Sequence, residues 1–335
     1  MKTIVRKIIV IGSLVLFGVM SFAQESKTKD TDKVINTEYF VCEVSSDGKS
    51  LEIKLKSDYL EKKLVIPATI KDYPVSRITI EDPLDSLKEI VFPDVPLNVQ
   101  IIHAEGLTKL TIPQVLNLEE LYLWGCNNLK ELELGKVINP RIIRKDAFYY
   151  CGFESFTVPE GVEVIRENAF SECKNLKSIL LPSSVKKIER SAFSYCKSLK
   201  SIILPELITN INSKTFYRCS SLEEIVIPEG VEVIGEFAFF TCKKLKFITL
   251  TSVKKIEEFA FYNCKNLKSI TLPKSITTID DNAFADCSSL EEIIIPETVT
   301  KIDFEYNAGF SVKLNSKTQA RLRELGYTAR FNNNY

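Results

Sequence analysis

Nine cysteines are the residues of this sequence with the greatest capacity for chemistry, because thiols form disulfides, bind metals and act as nucleophiles. Seven of them recur at steps of 22 or 23 residues, each closing a segment such as AFSYC, and an eighth occupies a weaker copy of that position. The eight repeated cysteines are Cys126, Cys151, Cys173, Cys196, Cys219, Cys242, Cys264 and Cys287. This spacing predicts a column of small, buried side chains with weak thiol donors. Disulfide bridges, typical of small exported chains without a core, are the alternative, and Cys42 lies outside the pattern.

Other groups that could support catalysis are few. His103 is the only histidine, so two imidazoles cannot share a zinc ion, and any histidine-activated nucleophile would depend on this residue alone. Adjacent acidic residues also occur, but a glycosidase needs two facing carboxyls about 5 to 10 Å apart, so we expect them to form a solvated polar surface. The pairs are Glu223-Glu224, Glu257-Glu258, Asp280-Asp281 and Glu291-Glu292. We predict no catalytic centre, metal or cofactor.

The overall charge argues against a nucleic-acid partner. Lys and Arg together number 44, as do Asp and Glu, so no basic field would draw the chain to nucleic acid or an anionic membrane. Hydrophobic residues make up 45% of the chain, which is enough to build a core.

The first 23 residues have the organisation of a secretory signal peptide. Lys2, Arg6 and Lys7 precede an apolar run, which ends at the small-residue segment SFA at 21–23. The alternative is an uncleaved membrane anchor, although the run is shorter than the roughly 20 residues that span a bilayer. Cleavage would leave 41 basic and 44 acidic side chains and no transmembrane segment. We therefore predict an exported chain that is periplasmic, secreted or associated with the cell surface.

A second block recurs between the cysteines, for example NLKSILLPSSVKKI at 175–188. The composite unit is L-x-x-I-x-L-P-x-x-V-x-x-I-x-x-x-A-F-x-x-C-x-x, in which alternating apolar residues predict a strand that Pro ends. One unit cannot fold alone: about five apolar side chains contribute roughly 1.5 to 3 kcal/mol each, whereas ordering about 23 residues costs roughly 1 to 2 kcal/mol apiece. Successive units must therefore stack as a solenoid with parallel strands about 4.8 Å apart.

This unit resembles the 23-residue repeat of bacterial leucine-rich-repeat proteins of the BspA type, which carry L-x-x-I-x-L-P, V-x-x-I and A-F-x-x-C. The likeness is close over 143–302. It implies a right-handed leucine-rich-repeat solenoid with a curved parallel β-sheet on the concave side and short strands and helical turns elsewhere. It also implies adhesion to host matrix or cell-surface components.

Two segments precede the repeats. Residues 24–37 are charged and lack aromatics, which predicts a flexible leader. Residues 38–78 alternate apolar and polar residues around an Asp47-Gly48 turn, which predicts a small β-rich N-terminal cap.

The repeats themselves fall into an irregular and a regular part. We expect irregular repeats at 79–142, because 95–106 are too short for a full turn and 135–142 hold about two extra residues. Regular repeats of 22 or 23 residues should occupy 143–310. A short helix within SKTQARLRELGY would then close the solenoid in a C-terminal cap at 311–335.

The outward positions of the strands form the candidate binding surface. Leu180, Ile203 and Val226 occupy one outward column, and Phe247 lies on the next turn in the adjacent column. An apolar strip rimmed by Ser and Glu is typical of a protein-binding surface; alternatively, β-branched residues suit any strand. The residues predicted to bind a protein are Ser178, Leu180, Ser201, Ile203, Glu224, Val226, Phe247 and Thr249.

Aromatic residues at non-core places of the A-F-x-x-C turns form a second candidate surface, which we call the aromatic edge. They could grip a peptide or a sugar, or they could pack on one another as a ladder. The aromatic edge consists of Tyr217, Phe237, Phe240, Phe259 and Tyr262.

These observations predict a non-catalytic exported protein that binds a protein partner through its repeat surface. A host matrix protein, a cell-surface protein or a bacterial envelope protein would be the partner. The alternative is a carbohydrate-binding or scaffolding component of a cell-envelope complex, with a glycan bound at the aromatic edge.

Overall fold

The chain folds as a solenoid of about ten turns with almost no helix, which confirms the leucine-rich-repeat class predicted from the repeats. The computed structural model describes residues 34–81, 85–280, 282–290, 293–302 and 316–326. The signal peptide predicted at 1–23 lies outside the described residues, as does most of the predicted leader.

Six strands form the N-terminal cap. They are β1 (Val34–Asn36), β2 (Phe40–Val44), β3 (Leu51–Leu55), β4 (Lys63–Val65), β5 (Thr69–Ile70) and β6 (Tyr73–Ile80). β2 and β3 form an antiparallel hairpin around the expected Asp47-Gly48 turn, where Gly48 adopts a φ of +71°. β3 then pairs in parallel with β6, which joins the cap to the solenoid.

The described end of the segment predicted to be a flexible leader is ordered. Residues 34–36 form β1, which pairs antiparallel with β2, and Ile35 packs against the core. The burial of this side chain and the backbone pairing order a segment that composition alone assigned to the leader. The described cap therefore begins at Val34.

Six strands form the irregular turns. They are β7 (Glu89–Val91), β8 (Asn98–Ile102), β9 (Lys109–Asn117), β10 (Tyr122–Trp124), β11 (Glu131–Asn139) and β12 (Ile142–Ile143). β6, β8 and β10 stack in parallel and extend the cap sheet. β9 and β11 form a separate parallel pair of nine-residue strands. They approach closely because residue 135 is Gly: a Cβ there would lie 2.0 Å from the carbonyl oxygen of Pro113.

Each regular turn contributes one three-residue strand and one two-residue strand, except the last described turn, which contributes only a two-residue strand. In chain order these are β13 (Ser155–Thr157), β14 (Val164–Ile165), β15 (Ser178–Leu180), β16 (Lys187–Ile188), β17 (Ser201–Ile203), β18 (Asn210–Ile211), β19 (Glu224–Val226), β20 (Val233–Ile234), β21 (Phe247–Thr249), β22 (Lys255–Ile256), β23 (Ser269–Thr271), β24 (Thr278–Ile279) and β25 (Lys301–Ile302). Like positions pair in register, such as Ile202 with Ile225 and Ile211 with Ile234. Both ladders are interrupted at one joint, where β15 does not pair with β17 and β16 does not pair with β18.

The A-F-x-x-C segment forms a third edge, which crosses that joint. The backbone N–H of Phe193 donates to the carbonyl of Thr215 at 3.0 Å, and the N–H of Phe216 donates to the carbonyl of Ala238 at 2.9 Å. In each A-F-x-x-C segment of this edge, two residues adopt left-handed backbone conformations, with φ between 54° and 63°. They are the residue before Ala (or before Thr215) and the residue before Cys.

These left-handed residues correct the expectation of helical turns, because a left-handed residue ends a right-handed helix. The repeat turns are non-helical. Across the described residues, the helices are the 3₁₀ helix Leu118–Glu120 and the α-helix α1 (Ser316–Glu324).

α1 closes the C-terminal end, as its sequence predicts. Leu322 is buried, and the Arg321 guanidinium donates to the carbonyls of Val299 at 2.8 Å and Glu297 at 3.0 Å. These bonds satisfy backbone carbonyls of the last turn within the described residues.

A continuous stack of phenylalanine rings forms the centre of the core. Consecutive ring centroids are 5.1 to 5.8 Å apart, and consecutive planes are inclined by 3° to 22°. The stack consists of Phe148, Phe170, Phe193, Phe216, Phe239, Phe261 and Phe284. This spacing is close to that of the strands, so each turn contributes one ring to the stack.

We expect Phe216→Ala to lower the free energy of unfolding by about 3 to 5 kcal/mol, because it leaves a cavity between two stacked rings. Phe247→Ala is the matched control: this ring is 56% exposed, so its loss should change stability by about 0.5 kcal/mol or less. Urea denaturation followed by circular dichroism measures both. Equal effects of the two substitutions would contradict the stacked core.

Candidate binding surfaces

The four apolar residues predicted to face outward are exposed, and we call them the apolar strip. The exposed fractions are 63% for Leu180, 80% for Ile203, 75% for Val226 and 56% for Phe247. They lie on β15, β17, β19 and β21, where each strand buries its central residue and exposes its two ends. The sequence pattern therefore identified which side of each strand faces solvent.

Strand register fixes how the strip is arranged. Ile203 lies directly opposite Val226, and Glu224 lies opposite Phe247 in the adjacent column, as predicted. Leu180 and Ile203 lie on consecutive turns across the interrupted joint, where β15 and β17 form no ladder. Leu207, which the repeat pattern did not single out, is also exposed, in the Pro turn that follows Ile203.

Polar residues surround the strip. The predicted rim residues Ser178, Ser201, Glu224 and Thr249 are all exposed. Beside them, Lys177 contacts Glu154 at 2.6 Å and Lys246 contacts Glu223 at 2.8 Å, each across one turn. The surface thus has the composition of a protein interface, with an apolar centre and a charged border.

The aromatic edge is a ladder of mutually stacked rings. Tyr217, Phe240 and Tyr262 stack at centroid distances of 4.9 Å, and Phe237 stacks on Phe259 at 5.0 Å. All five rings are half-buried. Because neighbouring rings cover their faces, the ladder interpretation accounts for these residues better than a binding site does.

The cysteine column is buried, and its thiols are free, as predicted. From Cys173 onward, each Sγ–H donates to the carbonyl of the stacked Phe one turn earlier, at 3.1 to 3.2 Å. Cys42 is also free and buried, in the N-terminal cap. Burial raises the pKa of the Cys173 and Cys287 thiols to about 12. These cysteines are structural fillers with weak donors.

His103 contacts an aromatic cluster in the irregular turns. Its ring meets Trp124 edge-on at 4.4 Å, and Trp124 stacks on Tyr149 at 5.8 Å. Gly125 has a φ of +74°, and a Cβ there would lie 2.8 Å from His103 Nδ1. Among the described residues, no three His, Cys, Asp or Glu side chains are grouped to hold a metal ion.

The acidic pairs form salt bridges on the surface. Lys246 holds the pKa of the Glu223 carboxyl below its usual range by hydrogen bonding to it. Lys255 contacts Asp280 at 2.9 Å and Glu257 at 3.2 Å. Asp281, Glu291 and Glu292 lie outside the described residues. The described members of the pairs are exposed or partly exposed at the surface, as the sequence predicts, and the salt bridges of Glu223, Glu257 and Asp280 are an addition to that prediction.

The stacked turns and repeated columns define a leucine-rich-repeat protein. The chain belongs to the BspA-type leucine-rich-repeat family: the model of the BspA type leucine-rich repeat region matches six copies, covering residues 102–223, 141–252 and 209–333. No curated protein sequence matches the chain. None of the helices in the described ranges has the length and apolar character needed to cross a membrane.

Solved structures of bacterial proteins share the fold. A leucine-rich-repeat protein from Bacteroides ovatus is 23% identical with a TM-score of 0.57, and the match covers 84% of this chain and 90% of that one. A leucine-rich cell surface protein from Faecalibacterium prausnitzii is 22% identical with a TM-score of 0.52, covering 85% and 89%. The pneumococcal vaccine antigen PcpA is 18% identical with a TM-score of 0.50, covering 85% and 86%.

We expect the eight cysteines of the column to resist iodoacetamide in the folded protein and to react fully in guanidinium without reductant. Burial keeps all eight thiols from the reagent, and raised pKa values from Cys151 onward disfavour the reactive thiolate. Intact mass measured before and after unfolding gives the number of alkylated thiols. Cysteines that react only after reduction would contradict free thiols.

We also expect stability to fall at alkaline pH. Because the folded-state pKa of Cys219 is raised by burial, its stabilising contribution is fully present below about pH 8.5 and is lost as the pH rises toward the folded value. The slope should approach about 1.4 kcal/mol per pH unit for each such thiol. Urea midpoints between pH 8 and 10.5 should fall less steeply for Cys219→Ala than for the unsubstituted chain, and identical slopes would contradict the prediction.

Proposed function

We propose that this chain is an exported, non-catalytic protein that binds a protein partner through the apolar strip and its polar rim. The observation that carries the proposal is the exposure of four large apolar side chains on four consecutive turns. Large apolar residues that lie together in one exposed patch with a polar rim are typical of protein interaction sites. Adhesion to a host matrix protein, a cell-surface protein or a bacterial envelope protein is the role that suits this surface.

The rigidity of the turns supports this role. The four residues of the apolar strip, which would anchor the partner, lie on short strands that pair in register where the ladders are continuous. Because these strands hold the anchors in place before binding, little conformational entropy would be lost when the partner docks. Full burial of each anchor would contribute about 1.5 to 3 kcal/mol. The surrounding Ser, Glu and Lys residues would orient the partner and exclude water from the centre.

An exported location suits the proposal. The first 23 residues have the organisation of a secretory signal peptide. One protein of similar fold is described as a cell surface protein. A surface or periplasmic location would bring the apolar strip to extracellular or envelope partners.

The alternative role, carbohydrate binding or scaffolding at the aromatic edge, has less support. Sugars bind to open aromatic faces, and the faces of Tyr217, Phe240 and Tyr262 are stacked on one another. Glycan-array binding that disappears in Tyr217→Ala and Tyr262→Ala would favour this alternative over the apolar strip.

We expect Ile203→Asp combined with Val226→Asp to reduce partner capture at least tenfold, because charges would be buried in the centre of the interface. The full chain, immobilised, is exposed to solubilised extracellular matrix and to envelope extract from the producing cell, and mass spectrometry identifies the captured proteins. Ser269→Asp with Thr271→Asp is the matched control, since both residues are exposed on the same face and lie outside the strip. Unchanged capture by the first variant, with an unchanged circular dichroism spectrum, would exclude the strip as the binding surface.

A further inference from the structure

A cleft interrupts the face of three-residue strands between the irregular and regular turns. β11 pairs with β9, and β13 pairs with β15, but no ladder joins β11 to β13. The last backbone bond between them runs from the N–H of Glu154 to the carbonyl of Lys130 at 3.3 Å. Beyond it lies a cavity of about 540 Å³. The cavity is lined by residues 132–135, 137, 155–157, 159 and 160.

The cleft opens the hydrophobic core. Leu132 and Leu134 occupy the inward positions of β11 but are only half-buried, whereas the equivalent Ile112 on β9 and Val158 after β13 are fully buried. The joint between β15 and β17 also lacks a ladder, yet Ile179 and Ile202 stay buried there. Loss of a ladder alone therefore does not expose the core. The inward leucines of β11 are partly exposed because a space separates β11 from β13.

Both walls of the cleft direct backbone groups into it. In a parallel strand, alternate residues direct their N–H and C=O groups toward opposite neighbours. The Lys130 carbonyl points toward β13, so the groups of Leu132 and Leu134 on the same strand point the same way. The N–H of Val158 donates to Leu180 on β15, so the groups of Ser155 and Thr157 point back toward β11. Two strand edges thus face each other across the cavity.

We propose that this cleft binds an extended peptide segment of a partner protein as an added β-strand. The unpaired edges would supply main-chain hydrogen bonds, and the half-buried Leu132 and Leu134 would accept apolar side chains at alternate positions. Glu133 is already paired with Lys109 at 3.2 Å, so Glu160 is the acidic residue of the lining that a basic residue in the peptide would complement. This site adjoins one end of the apolar strip, because Thr157 in its lining lies opposite Leu180, but it does not depend on the function proposed for that strip.

The sequence builds the cleft locally. Gly135 lets β11 lie against Pro113 of β9, and the extra residues after it lengthen β11 to nine residues. β11 is thereby held to the preceding turn along its full length, and β13 is held to the following one. The two strands belong to different pairs, so the cleft is a fixed feature of the stack.

The test uses the full chain and a phage-displayed library of random ten-residue peptides. We expect enriched peptides with apolar residues at alternate positions and at least one Lys or Arg. The enriched peptides are then synthesised, and their binding is measured by fluorescence anisotropy. The double substitution Leu132→Ser and Leu134→Ser should raise their dissociation constants at least tenfold. Ile203→Ser with Val226→Ser is the matched control, because both residues are exposed on β17 and β19, away from the cleft lining. This variant should bind the peptides with unchanged affinity even if it no longer captures the partner of the apolar strip. Failure to enrich any peptide, or equal binding by both variants, would overturn the proposal.

Hydrogen exchange tests the same site in the unsubstituted chain, so the result does not depend on how a variant folds. The amides of Ser155 and Thr157 should exchange rapidly in the free protein and at least tenfold more slowly with the peptide bound. A peptide that is N-methylated at alternate residues lacks the N–H donors along one edge of its strand. When that edge is the one that would pair with the cleft, the peptide should give no such protection. Amides that are already protected in the free protein, or that stay unprotected in the complex, would overturn the proposal.

Discussion

Contact between successive turns is the interaction on which the rest of this structure depends. A single unit has too few apolar side chains to offset the entropy of ordering its backbone, so each turn needs its neighbours. The phenylalanine stack and the backbone bonds of the A-F-x-x-C edge provide that contact in every regular turn. Each ring inside the stack lies between two others, and the cysteine thiols donate to the carbonyls of phenylalanines in the same stack. Core and backbone are therefore stabilised by the same segment.

The same constraint creates the surfaces. Since like positions of each turn align, a residue type that recurs at one outward position becomes a column, and a few apolar residues at that position become the apolar strip. The aromatic edge arises in the same way, but its rings stack on one another, so it stabilises the turns. Where the repeat spacing changes, around Gly135, the alignment fails and the cleft between β11 and β13 opens. Regular spacing produces the strip, and irregular spacing produces the cleft.

Much of the fold and of the apolar strip could be predicted from the sequence, because the repeat shows the same pattern in seven copies. The period, the burial of the cysteines and the exposure of Ile203 and Val226 all follow from positions that recur. Non-repeating features were harder to predict. The ordering of β1 depends on its pairing with β2 and on Ile35 packing against the core. The non-helical turns depend on left-handed residues such as Lys214 and Phe237, whose side chains give no local signal. The extra residues at 135–142 were visible in the sequence, but the exposed core positions they create depend on how β11 pairs.

The interrupted joint between β15 and β17 affects how the solenoid would respond to force. Both strand ladders stop there, and the A-F-x-x-C edge crosses it with bonds such as that from Phe193 to Thr215. Tension applied along the axis would be borne at this joint by fewer backbone bonds than elsewhere in the regular turns. Leu180 lies on one side of the joint, and Ile203, Val226 and Phe247 lie on the other. A small rotation at this position would therefore change the distance between Leu180 and the other three residues of the apolar strip.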